Sequence, residues 1–211
     1  DTRGSYNTTT PANYGIIKAK DNNCWMTDNL NLYNRTVSYI DTDIPSGSFT
    51  IPNTSNWTSN DTLTAYIHRA TNSGYTNQVY YNWCSSAALA STCNTTVQQD
   101  RSICPKGWTL PNTGNKSINK TLAKLLSAYS ITTGSQLLAN STLGITLYYG
   151  NWHEIAPPYE ASQGGAGRFW TNTPYSADET KVYDFAYNSS ALYPQQVARK
   201  SMGDTIRCVA R

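Results

Sequence analysis

Gly167-Arg168-Phe169-Trp170-Thr171-Asn172-Thr173-Pro174-Tyr175, a tyrosine-rich run through Tyr187, and Ser201-Met202-Gly203-Asp204-Thr205-Ile206-Arg207-Cys208-Val209-Ala210-Arg211 close this chain of 211 residues. Trp, Gly, Pro and Cys form a stiff frame at either end of this region. Tyr, Asn, Asp, Ser, Lys and Gln fill the space between. Tyrosine brings large contact area at low entropic cost, and short polar side chains bring adaptable hydrogen bonds, which is the chemistry of antibody binding loops. The contrast points to binding rather than catalysis. The candidate ligand-binding residues are Phe169, Asn172, Tyr175, Asp178, Lys181, Asp184, Ala186, Asn188, Tyr193, Gln195, Gln196, Arg199 and Met202. If Tyr183, Phe185 and Tyr187 turn inward on a strand, Lys181, Asp184 and Ala186 lie nearer its outer face.

The remainder of the chain reads as a scaffold for that region. Tyr14–Lys20 and Cys24–Met26 form strands around an Asp21-Asn22-Asn23 turn, an opening hairpin. From Tyr33 to Asn77 the pattern is mainly loop, with a short helix expected at Asp61–Ala70. Val79–Trp83 is aromatic and β-prone, and Ser85–Ala90 suits a short helix of small residues. Ile103-Cys104-Pro105-Lys106-Gly107-Trp108-Thr109-Leu110-Pro111 places two prolines and a glycine around a tryptophan, as in a buried corner. Ile118, Leu122, Leu125, Leu126 and Tyr129 recur at three- and four-residue steps, so a core-packed amphipathic helix is expected over Ser117–Ser130, capped by Ser117 or Asn119. Strands follow at Leu147–Tyr149, Arg168–Thr171, Lys181–Tyr187 and Thr205–Ala210, with loops at Gly150–Gly167 and through Pro194. Helices early and centrally with short antiparallel-type strands late make the class α+β.

Composition narrows the function. Only 38% of residues are hydrophobic but 12% are aromatic, so burial rests on Trp and Tyr more than on Leu and Ile. The net charge of +3 is spread without a Lys/Arg cluster, which argues against a nucleic-acid partner. There is no apolar run of membrane-spanning length and no hydrophobic leader at Asp1, so direct membrane insertion is not expected. Residues 1–12 are polar and threonine-rich, a flexible terminal segment before a single domain over 13–211. Abundant Asn, Ser and Thr give an extracellular style of composition.

Catalytic and metal signatures are missing from the sequence. It has no G-x-S-x-G elbow, no H-E-x-x-H, no glycine-rich phosphate loop and no EF-hand spacing. His153-Glu154 lies in a loop after Trp152, and as sequence neighbours, whose side chains would point opposite ways on a strand, they make a poor base and orienter. Asp41 and Asp43 lack the third carboxylate at fixed spacing that a calcium site would use. No enzyme, cofactor or metal is therefore expected. The five cysteines contain no C-x-x-C, so disulfides account for them better than zinc. Cys84 and Cys93 could close a short loop, leaving Cys24, Cys104 and Cys208 open in their pairing. Any such bridge implies an oxidising compartment.

Four segments together carry a resemblance: Asn23-Cys24-Trp25-Met26-Thr27-Asp28-Asn29-Leu30, Tyr80-Tyr81-Asn82-Trp83, Ile103–Pro111 and Gly203–Arg211. They look like the Fibrobacter succinogenes major paralogous domain, found in bacterial secreted and surface proteins and related to the C-type-lectin-like fold of formylglycine-generating enzymes. The match runs from Tyr14 onward. It implies a small twisted antiparallel sheet whose amino- and carboxy-terminal strands pair, two helices, and long loops carrying the ligand surface. It favours Cys104–Cys208 as the scaffold disulfide and leaves Cys24 unassigned. Members of this lectin-like group are also targets of diversity-generating retroelements, which vary exposed residues of the carboxy-terminal segment. Phe169–Pro174 sits where such a segment begins, although Thr171 and Asn172 depart from its common serines and Asp204-Thr205 from an aromatic-Ser pair. No calcium-lectin Glu-Pro-Asn or Gln-Pro-Asp motif and no catalytic cysteine pair is present.

The resemblance and the residues lead to the same expectation: a diversified extracellular or cell-surface adhesin or receptor-binding domain, with its site over about 168–202. Its partner would be a protein or glycan ligand on another cell or surface. A subunit of a surface filament or layer, joined by self-assembly through residues 1–12 or an unpaired cysteine, is the alternative. A formylglycine-generating-type enzyme is the third reading and predicts a reactive thiol beside a pocket.

Overall fold

Trp25 and Val209, near opposite ends of the chain, face each other across an antiparallel ladder and hold the fold closed. The computed structural model describes residues 14–32, 36–40, 42–44, 46–51, 65, 67–69, 79–89, 101–113, 121–139, 143, 151–153, 159–161, 166–175, 181–188 and 190–210, with 38, 68–69, 151–153, 159–161 and 181–184 as backbone only. The flexible segment expected at 1–12, the strand expected at Leu147–Tyr149, and Asp41, Cys93, Glu154 and Asp178 lie outside the described residues.

The terminal sheet has the order β1-β2-β13-β7, formed by β1 (Ile16–Lys18), β2 (Cys24–Met26), β13 (Val209–Ala210) and β7 (Trp108–Thr109). Its opening hairpin turns where the sequence places it. Asn22 takes a left-handed backbone (φ 68°), and the Asp21 carboxylate accepts from the Asn23 backbone N–H at 3.1 Å and from Trp25 Nε1 at 3.1 Å. Asn tolerates that conformation and Asp closes the turn through its side chain. The expected strand over Thr205–Ala210 is shorter in the structure. Only Val209–Ala210 ladders, while Asp204 and Thr205 make single bridges to Tyr81 and Phe169.

A second sheet is a meander of three longer strands, β10 (Ala166–Pro174), β11 (Lys181–Asn188) and β12 (Leu192–Arg199), in that spatial order. Two departures from regular pairing shape it. Trp170 pairs with Asp184 and Pro174 with Val182, so β10 carries extra residues at Thr171–Thr173. Asp184 pairs with Gln196 and Ala186 with Tyr193, so β12 carries one extra residue around Pro194. The loop expected through Pro194 is thus a bulged edge strand. Proline is tolerated there because an edge position and a bulge need no ladder N–H.

Small hairpins surround these sheets. β3 (Thr36–Ser38) pairs with β4 (Ser48–Thr50), β5 (Ile67–Arg69) with β6 (Val79–Tyr81), and β8 (Asn151–His153) with β9 (Tyr159–Ala161). Three expectations change accordingly. The described part of Tyr33–Asn77 contains β3, β4 and β5, that of Asp61–Ala70 includes a strand and no helix, and Gly150–Gly167 contains a hairpin. In each case cross-strand pairing overrides weak local propensity.

Three helices are described, one more than the resemblance implies. α1 (Trp83–Ser86) is a single buried turn capped by Asn82, whose side chain accepts from the Ser85 N–H at 2.9 Å. It begins ahead of the small-residue run where a helix was expected. α2 (Thr121–Ala128) falls inside the expected Ser117–Ser130 helix and buries Leu122, Leu125 and Leu126. Ser130 ends it in a left-handed conformation (φ 54°), with Ile131 N–H bonded to Leu126 C=O at 2.9 Å. That closure satisfies carbonyls the helix leaves open. α3 (Gly134–Ala139) follows at once and buries Leu137.

The core divides into two clusters on opposite sides of β10. Phe169 packs with Phe185, Tyr187, Trp25 and the leucines of α2 and α3. Trp170 packs with Tyr81, Trp83, Ile103, Cys104 and Cys208 in the other. Successive strand residues point to opposite faces, so this one strand ties both clusters together. The Cys104–Cys208 disulfide joins the bent segment before β7 to the approach to β13, as the resemblance implies. Cys84 is also disulfide-bonded, and Cys24 is free and half-buried.

Candidate ligand-binding site

The β10–β11–β12 sheet offers two very different faces. On one, Phe169 stacks on Phe185 at 5.7 Å between ring centroids and 7° between planes, and Tyr187 adds tilted contacts to both at 5.8 Å. This aromatic layer lies against α2 and α3. Gly167 leaves room for it, because a Cβ there would fall 2.3 Å from the Tyr187 ring. Gly134, the first residue of α3, approaches so closely that a Cβ would sit 1.6 Å from the Asn188 carbonyl oxygen. That face is closed.

The opposite face is open at its lower end. Arg168, Ala186 and Tyr193 stand in one cross-strand row, since Arg168 pairs with Ala186 and Ala186 with Tyr193. Together with Ala166, Tyr187, Asn188 and Gln196 they line a surface depression of about 460 Å³. Ala166 and Ala186 keep its floor low, and Tyr193 rises at its edge with 47% of its surface exposed. Asn188 borders it while fixing the β11–β12 turn: its Oδ1 accepts from Ser190 N–H at 2.9 Å and Ala191 N–H at 2.7 Å.

The backbone behind the depression is held from several sides. The Arg168 carbonyl accepts from Thr205 N–H at 3.2 Å and Thr205 Oγ1 at 2.6 Å, and Trp170 N–H donates to Thr205 C=O at 3.0 Å. Trp170 Nε1 donates to the Tyr81 carbonyl. In the β10 bulge, Asn172 N–H donates to Pro111 C=O at 3.0 Å, Thr113 N–H to Thr173 Oγ1 at 3.0 Å, and Trp83 Nε1 to Thr171 C=O at 3.0 Å. Buried amides need such partners, so the bulge is built by the Ile103–Pro111 segment and its continuation. Binding groups on a frame of this kind meet a ligand with little further ordering cost.

The structure brings Ala186, Asn188, Tyr193 and Gln196 together and places others of the candidate residues elsewhere. Phe169 is corrected to a core residue, 4% exposed and stacked beneath the sheet, because strand alternation turns it toward α2 and α3. Asn172 is buried in the bulge, and Met202 is half-buried against the Trp170 cluster. Gln195 bends away to donate to Thr113 C=O at 2.9 Å, a consequence of the bulge beside Pro194. Arg199 is exposed at the far end of β12, and Tyr175 is half-buried just beyond β10. Lys181 and Asp184 are placed by register alone, opposite Arg199 and Gln196. Lys181 shares the odd parity of Phe185 and Tyr187, so strand alternation separates it from Asp184 and Ala186. Arg168 and Ala166 complete the depression and were not among the candidates. The odd–even rule applied backward from Trp170 finds Arg168.

Of the residues considered for other chemistry, His153 lies on β8. Asp43 accepts from Gly107 N–H at 3.1 Å, a bond that ties the β3–β4 region to the left-handed Gly107 turn (φ 79°). Among the described residues no group of His, Cys, Asp and Glu could hold a metal ion, and no helix is long and apolar enough to cross a membrane. Comparison of the chain with family models, curated proteins and solved structures finds no match.

Proposed function

We propose that the chain is a non-enzymatic ligand-binding domain of C-type-lectin-like fold, an adhesin or receptor-binding module of the cell surface or the extracellular space. Its binding surface is the open face of β10–β11–β12, and the positions exposed there are those a diversity-generating retroelement would vary. The observation that carries this reading is the asymmetry of that sheet. One face is closed by Phe169, Phe185 and Tyr187 against α2 and α3, while the other presents Arg168, Tyr193 and Gln196 around an alanine floor. A surface of that kind can change its side chains without changing its frame. Pairing of the terminal strands through Trp25 and Val209 fits the lectin-like reading, and the Cys104–Cys208 bridge fits an oxidising compartment.

Sequencing the gene from sibling strains tests the proposal. Differences are expected at positions of the open face and its strand such as Arg168, Tyr193, Gln196 and Arg199, with Trp170, Phe185, Cys104 and Cys208 constant. Differences spread evenly over α2 and α3 as well would overturn the diversified-surface reading.

A further inference from the structure

The ligand class of the open face follows from the groups around its depression, given that this face is the binding surface. We infer that the depression receives a neutral pyranose, a hexose residue of an uncharged glycan, held by stacking and by amide hydrogen bonds. Its volume of about 460 Å³ falls within the range of small-ligand sites. It lies on the face of β10–β11–β12, where the backbone N–H and C=O groups run in the plane of the sheet, so a ligand there meets side chains. An extended peptide, which gains affinity from main-chain pairing at a sheet edge, has no such pairing to make on this face. Arg168 and Tyr187 already have partners within the protein, and the polar groups left around the depression are Tyr193, Asn188 and Gln196.

These three groups suit a sugar ring. Tyr193, 47% exposed, supplies an aromatic surface for the C–H face of a pyranose. Asn188 Oδ1 accepts from Ser190 N–H, Ser190 Oγ and Ala191 N–H. Backbone N–H groups only donate, so those bonds fix which end of the amide is oxygen and leave Nδ2 as a donor for the depression. Gln196 is half-buried, and its amide has no hydrogen-bond partner among the described residues. It adds both a donor and an acceptor. A sugar hydroxyl is also both donor and acceptor, so vicinal hydroxyls satisfy the two amides together. An aliphatic ligand would leave both amides unsatisfied as it covered them, and that is costly. The alanines of the floor, Ala166 and Ala186, let a ring approach the sheet without a clash.

Isothermal titration calorimetry of the whole chain with galactotriose, mannotriose, cellotriose and trigalacturonate tests this. At least one neutral trisaccharide is expected to bind saturably. Its affinity should change less than about twofold between about 50 and 500 mM salt, because no charge pair contributes. Trigalacturonate should bind no tighter than galactotriose. Tyr193→Ala should weaken the neutral sugar about tenfold, Tyr193→Phe less than about threefold, and Gln196→Ala about three- to tenfold, the scale of one stacking contact or one hydrogen bond. Circular dichroism melting should be unchanged for each variant. Absence of saturable binding by all three neutral sugars, binding that salt weakens, tighter binding of trigalacturonate, or an unaffected Tyr193→Ala variant would each overturn the inference. Failure of the neutral sugars alongside variation confined to the exposed face in sibling genes would remove the glycan assignment and leave the binding surface standing.

Discussion

Arg207 shows how much of this molecule depends on single buried polar residues. It is 2% exposed, and its guanidinium donates to Asn29 Oδ1 at 3.1 Å and to the Met26 and Thr27 carbonyls at 3.3 and 2.5 Å. Its charge also lies 5.4 Å from the centre of the Phe169 ring, beneath the β10–β11–β12 sheet. Arg207→Met keeps much of the volume but leaves those acceptors without donors, and a buried unsatisfied group costs about 1–3 kcal/mol. Chemical denaturation should show the variant destabilised by roughly 3 kcal/mol. A loss within 0.5 kcal/mol would mean that water or local rearrangement satisfies the acceptors. Lys200 is a second case: it is fully buried, with Nζ 4.5 Å above the centre of the Trp83 ring. Composition marks neither residue, because a basic side chain in sequence carries no sign of whether carbonyls and rings will surround it.

At the scale of elements, the strands and α2 that organise the core were legible and the irregular pieces less so. Leucine spacing located α2, and Asp21-Asn22-Asn23 located the first hairpin, because both signals come from neighbours in sequence. The β12 edge was read as loop through Pro194, since what makes proline acceptable there is a bulge opposite Phe185 that only the paired strand defines. Phe169 is a candidate ligand contact by its place at the start of the carboxy-terminal segment. Its parity against Trp170 decides otherwise, and both faces of β10 bury a ring. The Cys104–Cys208 bridge spans 104 residues and joins the Pro105 corner to the last strand. Closing a loop near 100 residues is worth as much as about 4–5 kcal/mol in the chain-entropy model. The Cys104→Ala/Cys208→Ala double variant should therefore lose about 2–5 kcal/mol in urea unfolding, the usual range for native disulfides. An unchanged midpoint would show that packing around Trp83 and Trp170 holds this corner without the crosslink.

Across the whole molecule, the buried frame and the open face are segregated. The disulfide, α1 and the Trp170 cluster lie on one side of β10, α2 with α3 support the other, and the terminal sheet reaches both through Met26 and Trp25. The open end of the β10–β11–β12 sheet bears on neither cluster through Tyr193 or Gln196, so those positions can change at little cost in stability. The most direct test is binding of the labelled chain to arrays of glycans and surface proteins, compared with Tyr193→Ala/Gln196→Ala and with Lys124→Ala/Ser127→Ala on the exposed side of α2. The wild-type ligands should be lost by the first variant and kept by the second, with both unfolding within about 0.5 kcal/mol of wild type. Absence of any ligand, or ligands retained by Tyr193→Ala/Gln196→Ala, would contradict the assignment of this face as the binding surface.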